Sequence, residues 1–392
     1  MHATDPSPVS PHAGPPDCLA AWLRLEQTPG VGLKGAHALL AVFGAPPAVF
    51  AATGAAVHAA LSGVLAPALL ADAVRAVLAP APAVLGAHAA LHDATAAWLA
   101  APDRAVCTFG DAAYPARLRE LPDPPLLLYV QGRADLLAQP ALAIVGSRNA
   151  SAQGMANAER FGAALSQAGL TIVSGLALGI DAAAHRGGLH GAGATVAVIG
   201  TGPDRCYPAR NAELARRIAG DGCIVSEYAL GTPPLAANFP RRNRLISGLA
   251  RGVLVVEAAA QSGSLLTAQF ALEQGRDVFA IPGSIHAALS KGCHSLIKQG
   301  AQLVETADDV LGALCWHGPA AAPPARADAG ARLLTELETL LVALGHDPAA
   351  ADALALRVGR APADVQGQLL ALELAGMVER LPGDRFQRVY GQ

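Results

Sequence analysis

The sequence predicts an α/β protein: a doubly wound, mostly parallel sheet with a small helical domain before it and a winged-helix domain after it. Between residues 102 and 314, short runs rich in β-branched residues alternate with helical segments, a pattern typical of parallel sheets. Residues 18–101 are rich in alanine and leucine with helical periodicity. A Pro/Ala tract at residues 315–331 predicts a linker, followed by a third domain at residues 332–392.

Composition bounds the possible functions. The 392 residues are 52% hydrophobic and 15% charged. A chain of this length and composition can form two or three domains, each with its own hydrophobic core. The net charge of -3 provides no general attraction to nucleic acid or membrane, so a polyanion site must be local. Residues 1–17 are Pro-rich without an apolar segment, which predicts a disordered tail of a cytoplasmic protein. The six cysteines include no C-x-x-C pair, so we expect no metal site.

Seven runs are predicted as strands of the sheet. In an open parallel sheet, ligands bind beyond the carboxyl ends of the strands, so these ends are compared below. The runs are LAIV (142–145), TIV (171–173), TVAVI (195–199), CIVSE (223–227), VLVVE (253–257), DVFAI (277–281) and AQLV (301–304).

Four of the predicted strand ends are rich in glycine and small polar residues: GSRNASAQG (146–154), SGLALGID (174–181), GTGPD (200–204) and SGSLLTA (262–268). Each loop alone more often just turns the chain. Four such loops at the same edge of the sheet favour a row of phosphate-binding sites. Ser262 and Gly263 stand where a helix begins, and the N–H groups of a helix start favour an anion. Neither G-x-G-x-x-G nor a P-loop motif occurs, so no dinucleotide or ATP cofactor is expected.

A locally basic segment leads into the helix before the fifth strand. Residues 204–251 contain eight arginines against four acidic residues, and NFPRRNRLISG (238–248) carries three of those arginines close together. A basic groove with an aromatic residue such as Phe239 is typical of single-stranded nucleic acid sites. The alternative is a solvated charge run beside a core phenylalanine.

These motifs resemble, in order and spacing, the DNA-processing protein A (DprA/Smf) family. The resemblance rests on AIVGSRNASAQG, IVSGLALGIDAAAH, AVIGTGPDRCYPARN, SEYALGTPPLAANFPRRNRLISGLA, VLVVEAAAQSGSLLTA and GRDVFAIPGSIH, over about residues 140–310. It implies an extended Rossmann-like fold and a homodimer. It also implies a single-stranded DNA-binding protein that protects incoming strands during natural transformation and loads the RecA recombinase onto them.

The resemblance also implies roles for individual residues. Arg148 becomes the principal phosphate contact, with close backbone approach at its two preceding residues. Relatives often carry a basic residue after the Pro of the YP element, where this chain has Ala209 followed by Arg210, so that contact is displaced by one residue. The predicted DNA-binding residues are Gly146, Ser147, Arg148, Ser174, Gly175, Arg210, Phe239, Arg241, Arg242, Asn243, Ser262 and Gly263.

The three clustered arginines cannot all face one groove, because neighbouring side chains diverge. We expect Arg241 and Arg242 on the DNA. We expect Arg244 in a structural ion pair with a strand-end acid, Glu257 or Glu227, and choose Glu257.

The flanking domains are less specific. LEQTPGVGLKGAHALLAVFG (25–44) fits a helix-hairpin-helix that presents backbone N–H groups to phosphate, or an ordinary tight turn with Gly30 and Gly32 at positive φ. Relatives carry this module or a sterile-alpha-motif-like one. The C-terminal pattern predicts a winged helix. Its second helix, residues 362–375, contains no Lys or Arg, which favours a protein-interaction or stabilising role.

An enzyme is the alternative: a Rossmann-like phosphoribohydrolase of the lysine-decarboxylase-like group, acting on nucleoside monophosphates. Those enzymes carry G-G-x-G-T-x-x-E, whereas this chain has QSGSLLTAQ with Gln269 where the acid is required. Glu257 and Glu227 could act as acid and base, but no spacing fixes a partner beside them. The spacing of Asp181 and His185 is more typical of a structural pair. We therefore favour a binding protein without catalytic residues.

Overall fold

The computed structural model describes residues 16–316, 318, 337, 339–345, 348–374, 377–381 and 385–388. The chain divides into two compact units, Met1–Pro319 and Ala320–Gln392. Nearly all of the tail predicted at residues 1–17 and most of the linker predicted at residues 315–331 lie outside the described residues. The domain boundaries drawn from the sequence, including the one at residue 101, stay predictions.

Six helices precede the sheet. Trp22, Leu39 and Val57 from these helices share one buried core with Leu127 and Tyr129 of the sheet, so the helices pack directly on it. Gly30 and Gly32 have φ values of +78° and +61° in the turn between the first two helices, a backbone region that favours glycine. The helices are α1 (Pro16–Glu26), α2 (Gly32–Phe43), α3 (Pro46–Ala51), α4 (Gly54–Leu61), α5 (Pro67–Leu78) and α6 (Pro82–Leu99).

A nine-stranded sheet forms the centre of the larger unit, in the order β1-β2-β6-β5-β4-β3-β7-β8-β9. Its strands are β1 (Arg104–Thr108), β2 (Leu127–Gly132), β3 (Ala141–Val145), β4 (Thr171–Ser174), β5 (Thr195–Ile199), β6 (Cys223–Ser226), β7 (Gly252–Val255), β8 (Asp277–Ala280) and β9 (Gln302–Leu303). The helices of this region are α7 (Ala116–Arg119), α8 (Ala152–Gln167), α9 (Ile180–Gly188), α10 (Ala212–Asp221), α11 (Asn238–Leu249), α12 (Gly263–Glu273), α13 (Lys291–Lys298) and α14 (Ala307–Ala313).

The predicted fold class is confirmed. All seven predicted runs form strands, and they pair in parallel from β6 to β9. The sequence analysis missed β1 and β2, which add to the edge of β6 in antiparallel pairing. The strands β3, β4, β5 and β7 are almost fully buried, as expected for a sheet with both faces covered by helices.

The chain reverses its direction of winding at β3. From β3 the chain adds β4, β5 and β6 on one side, and it then returns to place β7 on the other side of β3. Where the connections of two neighbouring strands leave in opposite directions, a crevice forms beyond the carboxyl ends of those strands. The loops after β3 and β7 therefore border the expected ligand-binding crevice.

The smaller unit contains β10 (Ala349–Ala350), α15 (Ala351–Val358), α16 (Pro362–Leu374), β11 (Val378–Leu381) and β12 (Arg385–Arg388). The three strands form a sheet in the order β10-β12-β11. Leu354, Val365, Leu369 and Phe386 share its core. Two helices followed by a hairpin are the predicted winged helix. Among the described helices of the chain, none is alone long and apolar enough to cross a membrane, and the one adjacent pair that qualifies jointly, α5 and α6, is bent by 60°.

Candidate nucleic-acid interface

A cleft of about 500 Å³ lies beyond the carboxyl ends of the central strands. The loop after β3, the start of α11 and the start of α12 border it, and they bring together most of the residues singled out from the sequence. Those that line the cleft are Gly146, Ser147, Arg148, Phe239, Arg242, Asn243, Ser262 and Gly263, together with Asp181.

The loop after β3 is anchored by its backbone. The N–H of Ser147 donates to the Glu257 carbonyl at 2.8 Å, and the Ser147 carbonyl accepts from Ile180 N–H at 3.2 Å. A Cβ at Gly146 would come within 2.8 Å of the Glu257 carbonyl oxygen, so no larger residue fits there. The anchored loop holds Arg148 at the rim. Arg148 is exposed, and its guanidinium carbon lies 5.8 Å from the Phe239 ring centre.

α8 begins after the loop that follows β3, α12 begins in the cleft lining, and the two N-termini are capped differently. At α8, the carboxylate of Glu257 accepts from the Ser151 N–H at 2.9 Å and from the Ser151 hydroxyl at 2.5 Å. At α12, Ser262 caps its own helix through the Ser264 N–H at 3.3 Å, and Gly263 is exposed. The positive end of the α12 dipole therefore faces the cleft.

Arg242 forms part of the cleft floor and is only 4% exposed. Its guanidinium donates to the carbonyls of Gly175, at 2.9 Å, and Val198. Burial lowers its pKa to about 10, which the nearby Asp181 carboxylate opposes. Arg242 is therefore held inside the protein through its Nη1, because carbonyls at two strand ends converge on that atom. Its role as a DNA contact stays a prediction.

The structure contradicts the predictions that Ser174 and Gly175 contact DNA. Both residues are buried and neither lines the cleft. The Ser174 hydroxyl donates to the Ile144 carbonyl at 2.7 Å. The Gly175 N–H donates to the Asp181 carboxylate at 3.1 Å. Their strand end lies beneath the cleft, because α9 and α11 cover it.

Arg244 forms the expected structural ion pair, but with a different acid. Its Nη2 lies 2.5 Å from the Glu227 carboxylate, and its Nε lies 3.1 Å from Asp123. The exposed fractions of the Arg244 and Glu227 side chains are 6% and 4%. The choice of Glu257 is wrong, because that carboxylate caps α8. Burial raises the pKa of Glu227, and Arg244 opposes the rise.

Arg241 does not line the cleft either. It is exposed and borders a separate pocket of about 270 Å³, together with Glu26 and Gly32 of the N-terminal helices. Arg241 thus lies outside the cleft lining, and its role as a DNA contact stays a prediction. The reason for its position is geometric: Arg241 and Arg242 are neighbours on α11, which starts at Asn238, and adjacent side chains diverge around a helix.

The structure leaves Asn243 and Arg210 as candidate DNA contacts. The Asn243 side-chain amide donates to the Gly263 carbonyl at 3.5 Å, which ties α11 to the start of α12. Arg210 is exposed in the loop after β5 and lies outside the cleft lining. Its role as a DNA contact stays a prediction.

Asp181 and His185 have structural roles. Burial lowers the pKa of His185 to about 3, so the ring is neutral. Its Nε2 accepts from the Leu176 N–H at 3.2 Å, and its Nδ1 lies 2.7 Å from the Thr195 hydroxyl. Asp181 accepts N–H groups of Gly175 and Ala177. Sequence reasoning did not place Asp181 in the cleft. Its position at the first turn of α9, after a glycine-rich strand end, was an available signal.

The cleft thus combines an exposed arginine, an aromatic ring and an open helix N-terminus. Among the described lining residues, Asp181 is the one acidic residue, and the charge of Arg242 lies close to it. Arg148 and the α12 dipole therefore make the rim electropositive. Together with the fold, this site defines a class of protein: a Rossmann-like α/β protein with an electropositive crevice at its topological switch point.

Comparisons with known proteins identify the family. The family described as DNA recombination-mediator protein A matches residues 105–315, and its winged-helix domain, described as the DprA winged helix domain, matches residues 318–384. The chain belongs to this DprA/Smf family. The family prediction from the sequence motifs is confirmed.

Several relatives are similar over most of their length. The DNA processing protein DprA of Streptococcus pneumoniae is 52% identical over 201 residues, which are 51% of this chain and 71% of that protein. Protein Smf of Escherichia coli is 43% identical over 295 residues, 73% of this chain and 78% of that protein.

Solved structures of the same family are similar to this chain. The crystal structure of Streptococcus pneumoniae DprA has a TM-score of 0.62 at 39% identity, over 74% of this chain and 97% of that chain. DNA processing protein A of Helicobacter pylori, described in terms of its single-stranded DNA binding mode, has a TM-score of 0.50 at 29% identity, over 55% of this chain and 97% of that chain.

Proposed function

We propose that this protein binds single-stranded DNA in the cleft between α11, α12 and the loop after β3. The observation that carries the proposal is Arg148, an exposed guanidinium at the rim, beside Phe239 and on the same cleft as the α12 N-terminus. Guanidinium and helix N–H groups are the donors that phosphate oxygens accept best. The solved Helicobacter pylori relative, which binds single-stranded DNA, supports the same ligand.

Single strands should bind more tightly than duplex DNA. An aromatic contact in the cleft requires an unpaired base, whereas phosphate contacts alone serve both forms. The hydrolase alternative gains no support from the cleft. Its one acidic lining residue, Asp181, accepts two backbone N–H groups, and Gln269 bonds with Glu273 at 2.9 Å.

The test is equilibrium binding of fluorescent single-stranded and duplex oligonucleotides of one length to the full chain. Arg148→Ala should weaken single-strand binding by about 1–3 kcal/mol, the size of a charge-assisted hydrogen bond. Arg133→Ala is the matched control, because Arg133 pairs with Asp135 at 2.9 Å and its N–H bonds Gly222 just before β6, at the opposite end of the sheet. Equal losses in both variants would contradict the proposed site.

Membership of the family supports a wider role. We propose a cytoplasmic homodimer that protects incoming single strands during natural transformation and loads RecA onto them. A groove of about 320 Å³ between α12 and α13 mixes Leu265, Leu272 and Leu296 with the polar residues Gln269, Ser295 and Gln299. Its exposed apolar residue is Leu272, at 55%, which we take as the residue to test for self-association.

Two measurements check this wider role. Light scattering of the full chain should give twice 39.6 kDa, and Leu272→Glu should shift it toward one chain mass. RecA should form filaments faster on single strands preincubated with this protein than on strands preincubated with Arg148→Ala. A monomer at every concentration would contradict the dimer, and equal filament rates would contradict loading.

A further inference from the structure

Tyr207 stands beside the cleft without an assigned role. It lies in the loop between β5 and α10, and it is 46% exposed. Within the part of the chain that the structure describes, no hydrogen bond involves its hydroxyl. Burial of a large aromatic side chain is favourable, so an exposed tyrosine beside the cleft is a candidate for a contact with a ligand.

The ring of Tyr207 lies against Phe239. The two ring centres are 5.4 Å apart with an interplanar angle of 37°. Phe239 itself is well covered: a Cβ at Gly200 would come within 2.9 Å of its Cδ1, and Arg148 lies on it as described above. Phe239 is only half-exposed. The larger accessible aromatic surface at this rim therefore belongs to Tyr207.

The loop that carries Tyr207 is held at both ends. The Thr201 hydroxyl donates to the Arg205 carbonyl at 3.0 Å, and the Gly202 N–H donates to the Thr232 carbonyl at 3.0 Å. Beyond Tyr207, the Asn211 side-chain amide donates to the Leu176 carbonyl at 2.8 Å. The aromatic ring is therefore presented by a fixed loop, which lowers the ordering cost of binding.

We propose that Tyr207 is a base-stacking residue for single-stranded DNA, with Phe239 as the support that holds its ring. The ligand is an unpaired nucleobase of the strand whose phosphate lies at Arg148. Arg210, exposed three residues after Tyr207 in the same connection, offers a second cation for the strand's phosphates. This inference rests on the proposed function and goes beyond it, because it moves the main stacking surface from Phe239 to Tyr207.

The test compares Tyr207→Leu and Tyr207→Phe in the full chain, using a single-stranded oligothymidylate and an abasic oligonucleotide of equal length and charge. Loss of one stacked base corresponds to about 1–3 kcal/mol, or about 5- to 150-fold in dissociation constant. Tyr207→Leu should weaken binding of the oligothymidylate by this factor, and Tyr207→Phe should retain it. Both variants and the parent should bind the abasic strand equally.

Several outcomes separate the two claims. If the parent protein binds the oligothymidylate and Arg148→Ala weakens it, but Tyr207→Leu does not, the stacking role is overturned while the proposed function stands. A Tyr207→Leu loss that is equal on the abasic strand also overturns it, because that loss does not depend on a base. If the parent protein binds neither strand, the proposed function itself fails. Should Tyr207→Leu not fold, Tyr207→Trp must show fluorescence quenching by the oligothymidylate and not by the abasic strand; equal quenching overturns the role.

Discussion

Replacing Arg244 by alanine should destabilise the larger unit strongly while leaving the cleft at Arg148 intact. The Arg244 guanidinium and the Glu227 carboxylate form an ion pair in which both side chains are almost fully buried. Removal of the arginine leaves an almost fully buried carboxylate without another cation at hydrogen-bond distance among the described residues.

Breaking a buried pair of this kind costs about 3–5 kcal/mol. The second contact adds little, because the Asp123 side chain is 36% exposed and exposed pairs contribute roughly 0–1 kcal/mol. Burial already raises the pKa of Glu227, and the loss of Arg244 raises it further. A carboxyl group with a raised pKa in the folded state loses stability as the pH rises. The deficit of Arg244→Ala should therefore be larger at pH 8 than at pH 5.5.

Urea unfolding followed by tryptophan fluorescence measures this deficit, because Trp22, Trp98 and Trp316 all lie in the larger unit. The double variant Arg244→Met with Glu227→Leu should recover most of the lost stability, since apolar replacement of both partners removes the stranded charge. A loss below about 1 kcal/mol in Arg244→Ala, which is the size of an exposed pair, would refute the reasoning. So would a deficit that does not depend on pH.

Three further outcomes are expected. Arg242→Ala should lose about 1–3 kcal/mol of unfolding free energy, because two buried carbonyls lose their donor, whereas Arg241→Ala should stay within about 0.5 kcal/mol; equal melting of the two variants would contradict this division. Burial raises the pKa of Glu26 to about 8, so wild-type stability falls as the pH rises toward that value. Glu26→Gln should therefore gain stability relative to wild type as the pH rises from about 5 to about 8, and a constant difference would count against it. Deleting residues 332–392 should leave most of the single-strand affinity, and a folded truncation without affinity would show that the winged helix binds DNA.

The sheet was predictable because its central strands are buried on both faces and therefore read as continuous runs of β-branched residues. The strands β1 and β2 lacked that signal. β1 lies at the edge of the sheet and includes the half-buried Arg104 and Ala105, so its sequence, RAVCT, is short and mixed. β2 follows a Pro-rich stretch, which indicates a loop.

The cleft was predictable at the level of loops, and less so at the level of side chains. The glycine-rich ends after β3 and β7 marked the crevice, because only small residues permit its close backbone contacts. The directions of Arg241, Arg242 and Arg244 depend on where α11 begins and on what each side of the helix packs against. Tertiary packing decides both, and the sequence pattern contains neither. The partner of Arg244 was missed for the same reason: Glu227 and Glu257 both follow strands, and only the structure shows that Glu257 caps α8.

The salt dependence of single-strand binding tests the central claim most directly. Each phosphate neutralised in a single strand contributes about -0.7 to the slope of log K against log salt concentration. We predict a clearly negative slope for the wild-type chain with an oligothymidylate, and a slope smaller in magnitude by about 0.7 for Arg148→Ala. The control Arg133→Ala should keep the wild-type slope. A slope unchanged by Arg148→Ala would contradict the assignment of this arginine, and with it the cleft, as the place where the DNA backbone binds.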